Sequence, residues 1–186
     1  KKKIIDLNYF SNLGRTIIFD SKIDTWTIKM NNLSKNKNNE FDNIYNLTGC
    51  LTLIDSSIKN IKIFGNNFNC EDTVNLIRSN GSLSYIEIKN AKSDALDADF
   101  SQLTFKNLDI SNSYNDCLDL SFGNYTIEST NLKKCGDKSI SIGEKSNISI
   151  NNLKTENSNT GIAVKDSSYA NINNVFMSNL DTCLSV

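Results

Sequence analysis

The chain has 186 residues and a formal net charge of −1, enough length for one domain with a real core. Its 18 Lys and two Arg (Arg15, Arg78) form no clustered stripe, which argues against nucleic-acid binding. No apolar run approaches the ~18 residues of a membrane span, no secretory h-region is visible, and the absence of His and of any CxxC spacing argues against zinc.

In chain order, Thr16–Phe19 and Thr25–Met30 read as short strands, and Ser34–Asn43 as a polar loop. Cys50–Ile54 with Ile58–Phe64 reads as a first, slightly longer rung. From Val74 the sequence then repeats about every 22 residues. Each repeat carries alternating strand signals and no helical stripe, and a unit this short buries a core only by stacking. The predicted fold is all-β, a right-handed parallel β-helix, with residues 1–47 as an irregular entry region and 48–186 as the solenoid.

The first strand of each repeat aligns on an inward apolar pair: Val74/Leu76, Leu96/Ala98, Leu118/Leu120, Ile140/Ile142, Ile162/Val164 and Leu184/Val186. A second strand follows in each, at Leu83–Ile88, Leu103–Ile110, Tyr125–Leu132, Ile148–Leu153 and Ala170–Met177. Asn-rich turns suit the corners, because Asn tolerates the left-handed conformation. The chain ends at Val186 inside a strand, so the expectation is truncation, with further rungs, or else a partner chain, covering that end.

Five cysteines, an odd number, do not read as a disulfide framework. Pairing between adjacent rungs calls for a spacing near 22, whereas Cys50/Cys70 and Cys117/Cys135 lie 20 and 18 apart. The expectation is buried, reduced thiols.

The outer face of the first strands concentrates acids. One column reads Asp72, Asp94, Asp116, Lys138; the next Asn75, Asp97, Asp119, Ser141; a third Ile77, Asp99, Ser121, Gly143, Lys165. Like charges at rung spacing require a cation, neighbouring Lys or raised pKa values. Three readings stay open. Asp94, Asp116 and Asp119 with Lys138 and Lys165 are candidates for acid/base work on a polysaccharide. Asp97, Asp99 and Asp119 are candidate ligands for Ca²⁺, a hard cation wanting six to eight oxygens. Alternatively, the acids accept turn N–H bonds and keep a rod soluble. Glu144 and Asp166, beside Lys145 and Lys165, read as a solvated ion-pair strip. Tyr85, Tyr114, Tyr125 and Tyr169 lie on second strands or turns, where core or corner packing is the first expectation and sugar stacking the second.

The series SDALDAD, NDCLDLS, GDKSISIGE, GIAVKD, from Ser93 to about Asp166, resembles the pectin-lyase-like superfamily and, within it, the polygalacturonase order NTD, DD, GHG, RIK. Asp94 matches the Asp of NTD, Asp116 the second Asp of DD, Gly136 the first Gly of GHG and Lys165 the Lys of RIK. Asn115, Asp137 and Ala163 stand where that family has its acid, its orienting His and its carboxylate-binding Arg, which argues against hydrolysis by that family's mechanism. The resemblance implies a carbohydrate-directed β-helix, binding or modifying an extracellular or cell-surface polysaccharide. The alternative is a non-catalytic spacer or adhesin-like module that presents a surface to another protein.

Overall fold

A computed structural model describes residues 3–11, 14–34 and 47–186; most of the predicted polar loop at Ser34–Asn43 lies outside them. The described residues contain no helix, and seventeen strands form one continuous parallel sheet wound into a β-solenoid of about eight coils. Pairing holds the 22-residue register: Val74 pairs with Leu96, Leu96 with Leu118 and Leu118 with Ile140. The sheet also runs upstream of residue 48. There β1 (Lys3–Tyr9) pairs with β4 (Trp26–Asn32), and β2 (Thr16–Phe19) pairs with β5 (Gly49–Ile54).

Each coil has three faces. The first carries β7 (Asp72–Ile77), β9 (Asp94–Asp99), β11 (Leu118–Ser121) and β13 (Lys138–Gly143). The second and third are made by long strands that bend. Thus β12 (Asn124–Cys135) pairs through Asn124–Ile127 with β14 (Asn147–Ile150), and through Thr130–Lys133 with β15 (Leu153–Val164). Identical positions stack into apolar ladders such as Leu51, Val74, Leu96, Leu118, Ile140 and Ile162, each at most 1 % exposed. Every step of such a ladder removes apolar surface from water at roughly 25 cal/mol per Å².

The corners explain the composition. Asn67, Asn90, Asn112, Asn157 and Asn179 all have positive φ, and the Asn112 side-chain amide donates to the side-chain Oδ1 of Asn90 at 3.0 Å. A serine ladder closes the corner between the first and second faces. The Ser79 hydroxyl contacts the carbonyl oxygens of Leu53 and Ile77, and that of Ser101 contacts Leu76 and Asp99. One coil on, Gly123 has no hydroxyl. The Tyr125 hydroxyl reaches into the gap and takes the equivalent carbonyls, Ala98 at 2.7 Å and Ser121 at 2.8 Å. Tyr125 is therefore buried at 3 % exposure, packed at the corner and out of reach of a stacking sugar.

The cysteines correct an expectation. Cys50–Cys70 and Cys117–Cys135 are disulfides with Cα atoms 5.6 and 5.4 Å apart, inside the usual range. Each bridge joins the start of a coil to its own end across the corner. The relevant separation is therefore just short of one period, not one full period. Cys183 is free and exposed.

Candidate functional site

The three predicted acidic columns separate into two environments. At the corner before each first strand, Asp94 Oδ1 accepts the Asn115 side-chain amide and the Asp116 backbone N–H, both at 2.7 Å. Asp116 Oδ1 accepts the Lys138 backbone N–H at 2.8 Å, with Lys138 Nζ 3.6 Å away. These acids tie one coil to the next. Burial pushes the Asp72 carboxyl up to about 7 and the Asp116 carboxyl up to about 6. It raises Asp94 as well, against the bonds from Asp116 and Asn115. Burial works against the Lys138 ammonium, but Asp137, to which it hydrogen-bonds, and Asp116 outweigh that and raise its pKa.

The middle of the face is different. Register places Asn75, Asp97, Asp119 and Ser141 in one line, beside Asp99, Ser121 and Gly143. Asn75 donates to Asp97 Oδ2 at 2.7 Å, while its own Oδ1 is buried without a partner, as is Thr52 Oγ1 in the same line one coil below. Burial pushes Asp97 well above the usual carboxylate range, and the charges of Asp72, Asp99 and Asp119 push the same way. Burial also raises Asp99 and Asp119; the Lys165 ammonium restrains Asp119 while Glu144 opposes it, and Asp119 Oδ1 and Ser141 Oγ are both buried without a hydrogen-bond partner. Lys165 lies across Gly143, where an added Cβ would sit 3.1 Å from its Cε.

Of the residues singled out from sequence, the structure therefore groups Asp97, Asp99, Asp119 and Lys165 on the open strand face. It assigns Asp94, Asp116 and Lys138 to the corner. Arg78 forms a two-pronged pair with Asp55 at 2.7 and 2.9 Å on the opposite corner. Glu144 does not form the expected ion-pair strip; it accepts the Ser121 hydroxyl and so joins the acidic row. Asn75 and Ser121 stand in the predicted columns, but a reading that counts charges passes over them.

This arrangement sets carboxyls with raised pKa values side by side in a half-buried row flanked by the Lys165 ammonium, a setting that suits proton transfer to or from a hydroxylated ligand. Among the described residues, no three His, Cys, Asp or Glu side chains converge to hold a metal ion. A divalent cation here would draw on single oxygens of Asp97, Asp119 and Asn75, with the rest supplied by water or ligand. No helix among the described residues is long and apolar enough to cross a membrane. No family model, curated protein or solved structure matches the chain, so the functional reading rests on the site's own chemistry.

Proposed function

We propose that this protein is a carbohydrate-directed β-helix that engages an extracellular or cell-surface polysaccharide through the acidic first-strand face. The observation that carries the reading is the half-buried Asp97, hydrogen-bonded to Asn75 and crowded by Asp72, Asp99 and Asp119. Such crowding carries a stability cost that a purely structural ladder of Asn or Thr would avoid. Adjacent coils are ~4.8 Å apart, close to the ~5–5.5 Å between carboxyls that work as a pair on a glycosidic bond. Asp97 in its protonated form would serve as the acid, Asp119 as the ionised partner, and Lys165 would hold a ligand carboxylate. The degenerate pectin-lyase-like series supports the same ligand class. Two disulfides support an oxidising setting.

A negatively charged uronate polymer meets this face only if the acids are protonated or a cation bridges the two. The test measures binding and turnover of polygalacturonate with and without millimolar Ca²⁺, comparing wild type with Asp97→Asn/Asp119→Asn. Expected is Ca²⁺-dependent binding that the double variant loses, together with a Ca²⁺-induced rise in the wild-type melting midpoint. At ~100 times the dissociation constant that rise corresponds to about 2.7 kcal/mol. Binding and midpoint that ignore both Ca²⁺ and the substitutions would sink the reading.

One observation favours a second reading, a non-catalytic module. The corners from Asp72 onward are tight, and no long loop projects beside the acidic row to wall a cleft.

A further inference from the structure

A second face of the solenoid carries an open groove of about 560 Å³, within the size range of ligand sites. Its floor is β10 (Gln102–Ser113), β12, β14 and β16 (Tyr169–Ile172). Asn124 and Asn147 form one amide column, Thr126 and Ser149 a hydroxyl column, and Tyr169, 65 % exposed, stands at one end. No charged side chain lines it among the described residues.

The corner leading into this face carries a separate oddity. Phe100 and Phe122 sit on consecutive coils with φ of 51° each, in the left-handed region that is a genuine outlier for a bulky residue. Their rings stack 4.6 Å apart at 4°, and they are 56 % and 47 % exposed. Other coils place Asp55 and Arg78 at the equivalent corner. The left-handed turn recurs at this corner, with φ of 53° at Asp55 and 45° at Arg78; what is particular here is the residue type, two exposed stacked rings that gain little from folding.

We infer that the groove over β10, β12, β14 and β16, with the Phe100–Phe122 stack at its corner and Tyr169 at its end, binds an uncharged polysaccharide. The chemistry selects that occupant. Amides and hydroxyls repeated at rung spacing match the donors and acceptors of sugar hydroxyls. Aromatic faces take the apolar C–H side of a sugar ring. A protein interface would show an apolar core with Arg or Trp anchors, and an ionic ligand would find no counter-charge. The inference shares the carbohydrate class with the proposed function but uses a different face, so the two can fail separately.

The experiment is native affinity electrophoresis through gels containing galactomannan, xyloglucan or hydroxyethyl cellulose. It compares wild type, Phe100→Asn/Phe122→Asn, Thr126→Val and Asp97→Asn/Asp119→Asn. Asn is at ease in the left-handed region, so the aromatic variant should melt no lower than wild type. At least one neutral polymer should retard wild type and the acidic-face variant equally. Affinity should fall about tenfold or more in the aromatic variant and measurably in Thr126→Val, which carries the test alone if the aromatic variant does not fold. The inference is overturned if no neutral polymer retards the protein, if both groove variants bind like wild type, or if retardation disappears with the acidic face.

Discussion

Asp116 Oδ1 accepts the backbone N–H of Lys138, one coil above it, at 2.8 Å, just as Asp94 accepts the N–H of Asp116 at 2.7 Å. The recurring acid before each strand therefore works like a helix N-cap transplanted to a solenoid, satisfying a backbone donor that the corner leaves outside the regular ladder. Asp116→Ala should cost about 1–2 kcal/mol by orphaning that donor. Asp116→Asn keeps an acceptor oxygen and should cost clearly less. Chemical denaturation of the two variants decides it; equal losses would mean that the charge, not the acceptor, matters.

Tyr125 and Gly123 form a matched pair. Tyr125→Phe removes the hydroxyl that serves the Ala98 and Ser121 carbonyls and should destabilise by about 1–2 kcal/mol. Gly123→Ser alone should also destabilise, because an added Cβ would lie 2.3 Å from the Tyr125 hydroxyl. With Tyr125→Leu in place, matching Leu103 one coil below, the ring is gone and Gly123→Ser should cost less than it does alone. A thermodynamic double-mutant cycle measures that coupling; additive effects would refute it.

The acidic face makes stability fall as pH rises. Burial raises Asp72 to about 7, Asp116 to about 6, and Asp97 in the same direction, against roughly 3.9 in an unfolded chain. The folded state thus holds protons that the unfolded state has released. Below about pH 4 both states are protonated, and the contribution of these groups is fully present. It is lost progressively as pH climbs toward about 7 and is level above that. Melting midpoints should drop between pH 5 and pH 8. Asp97→Asn, whose amide oxygen can still accept from Asn75, should raise the pH 8 midpoint by ~2–4 °C for each kcal/mol relieved and flatten the profile. An unchanged profile would show that these carboxyls titrate normally.

Both disulfides close a coil on itself, with sequence separations of 20 and 18. Loops of that size correspond to about 3 kcal/mol each. Dithiothreitol should therefore lower the midpoint markedly, and peptide mapping without reductant should recover Cys50–Cys70 and Cys117–Cys135 as linked pairs. Recovery of free thiols at these four positions in protein secreted through an oxidising compartment would contradict the pairing.

Much of this molecule is legible in one dimension, because a solenoid turns vertical contact into a fixed sequence interval. Leu96 meets Leu118 and Asp97 meets Asp119 simply because they are 22 residues apart, so the core ladders and the acidic columns could be laid out from the chain alone. One line of left-handed corners is readable too, at Asn67, Asn90, Asn112, Asn157 and Asn179, whereas the corner at Asp55, Arg78, Phe100 and Phe122 carries no such mark. Contacts across a corner follow no such interval, because they depend on where each strand bends and how sharply the chain turns. That is why the two disulfides, the Tyr125 hydroxyl filling the gap at Gly123 and the Ser121–Glu144 bond emerge only in three dimensions. The same bends decide the fate of the acids. Asp94 and Asp116 face a backbone N–H at the corner and are bound by it, whereas Asp97, a few residues on, has Asn75 and other carboxyls beside it. One residue type in one repeat thus became a structural staple or a candidate proton donor according to what the corner left beside it.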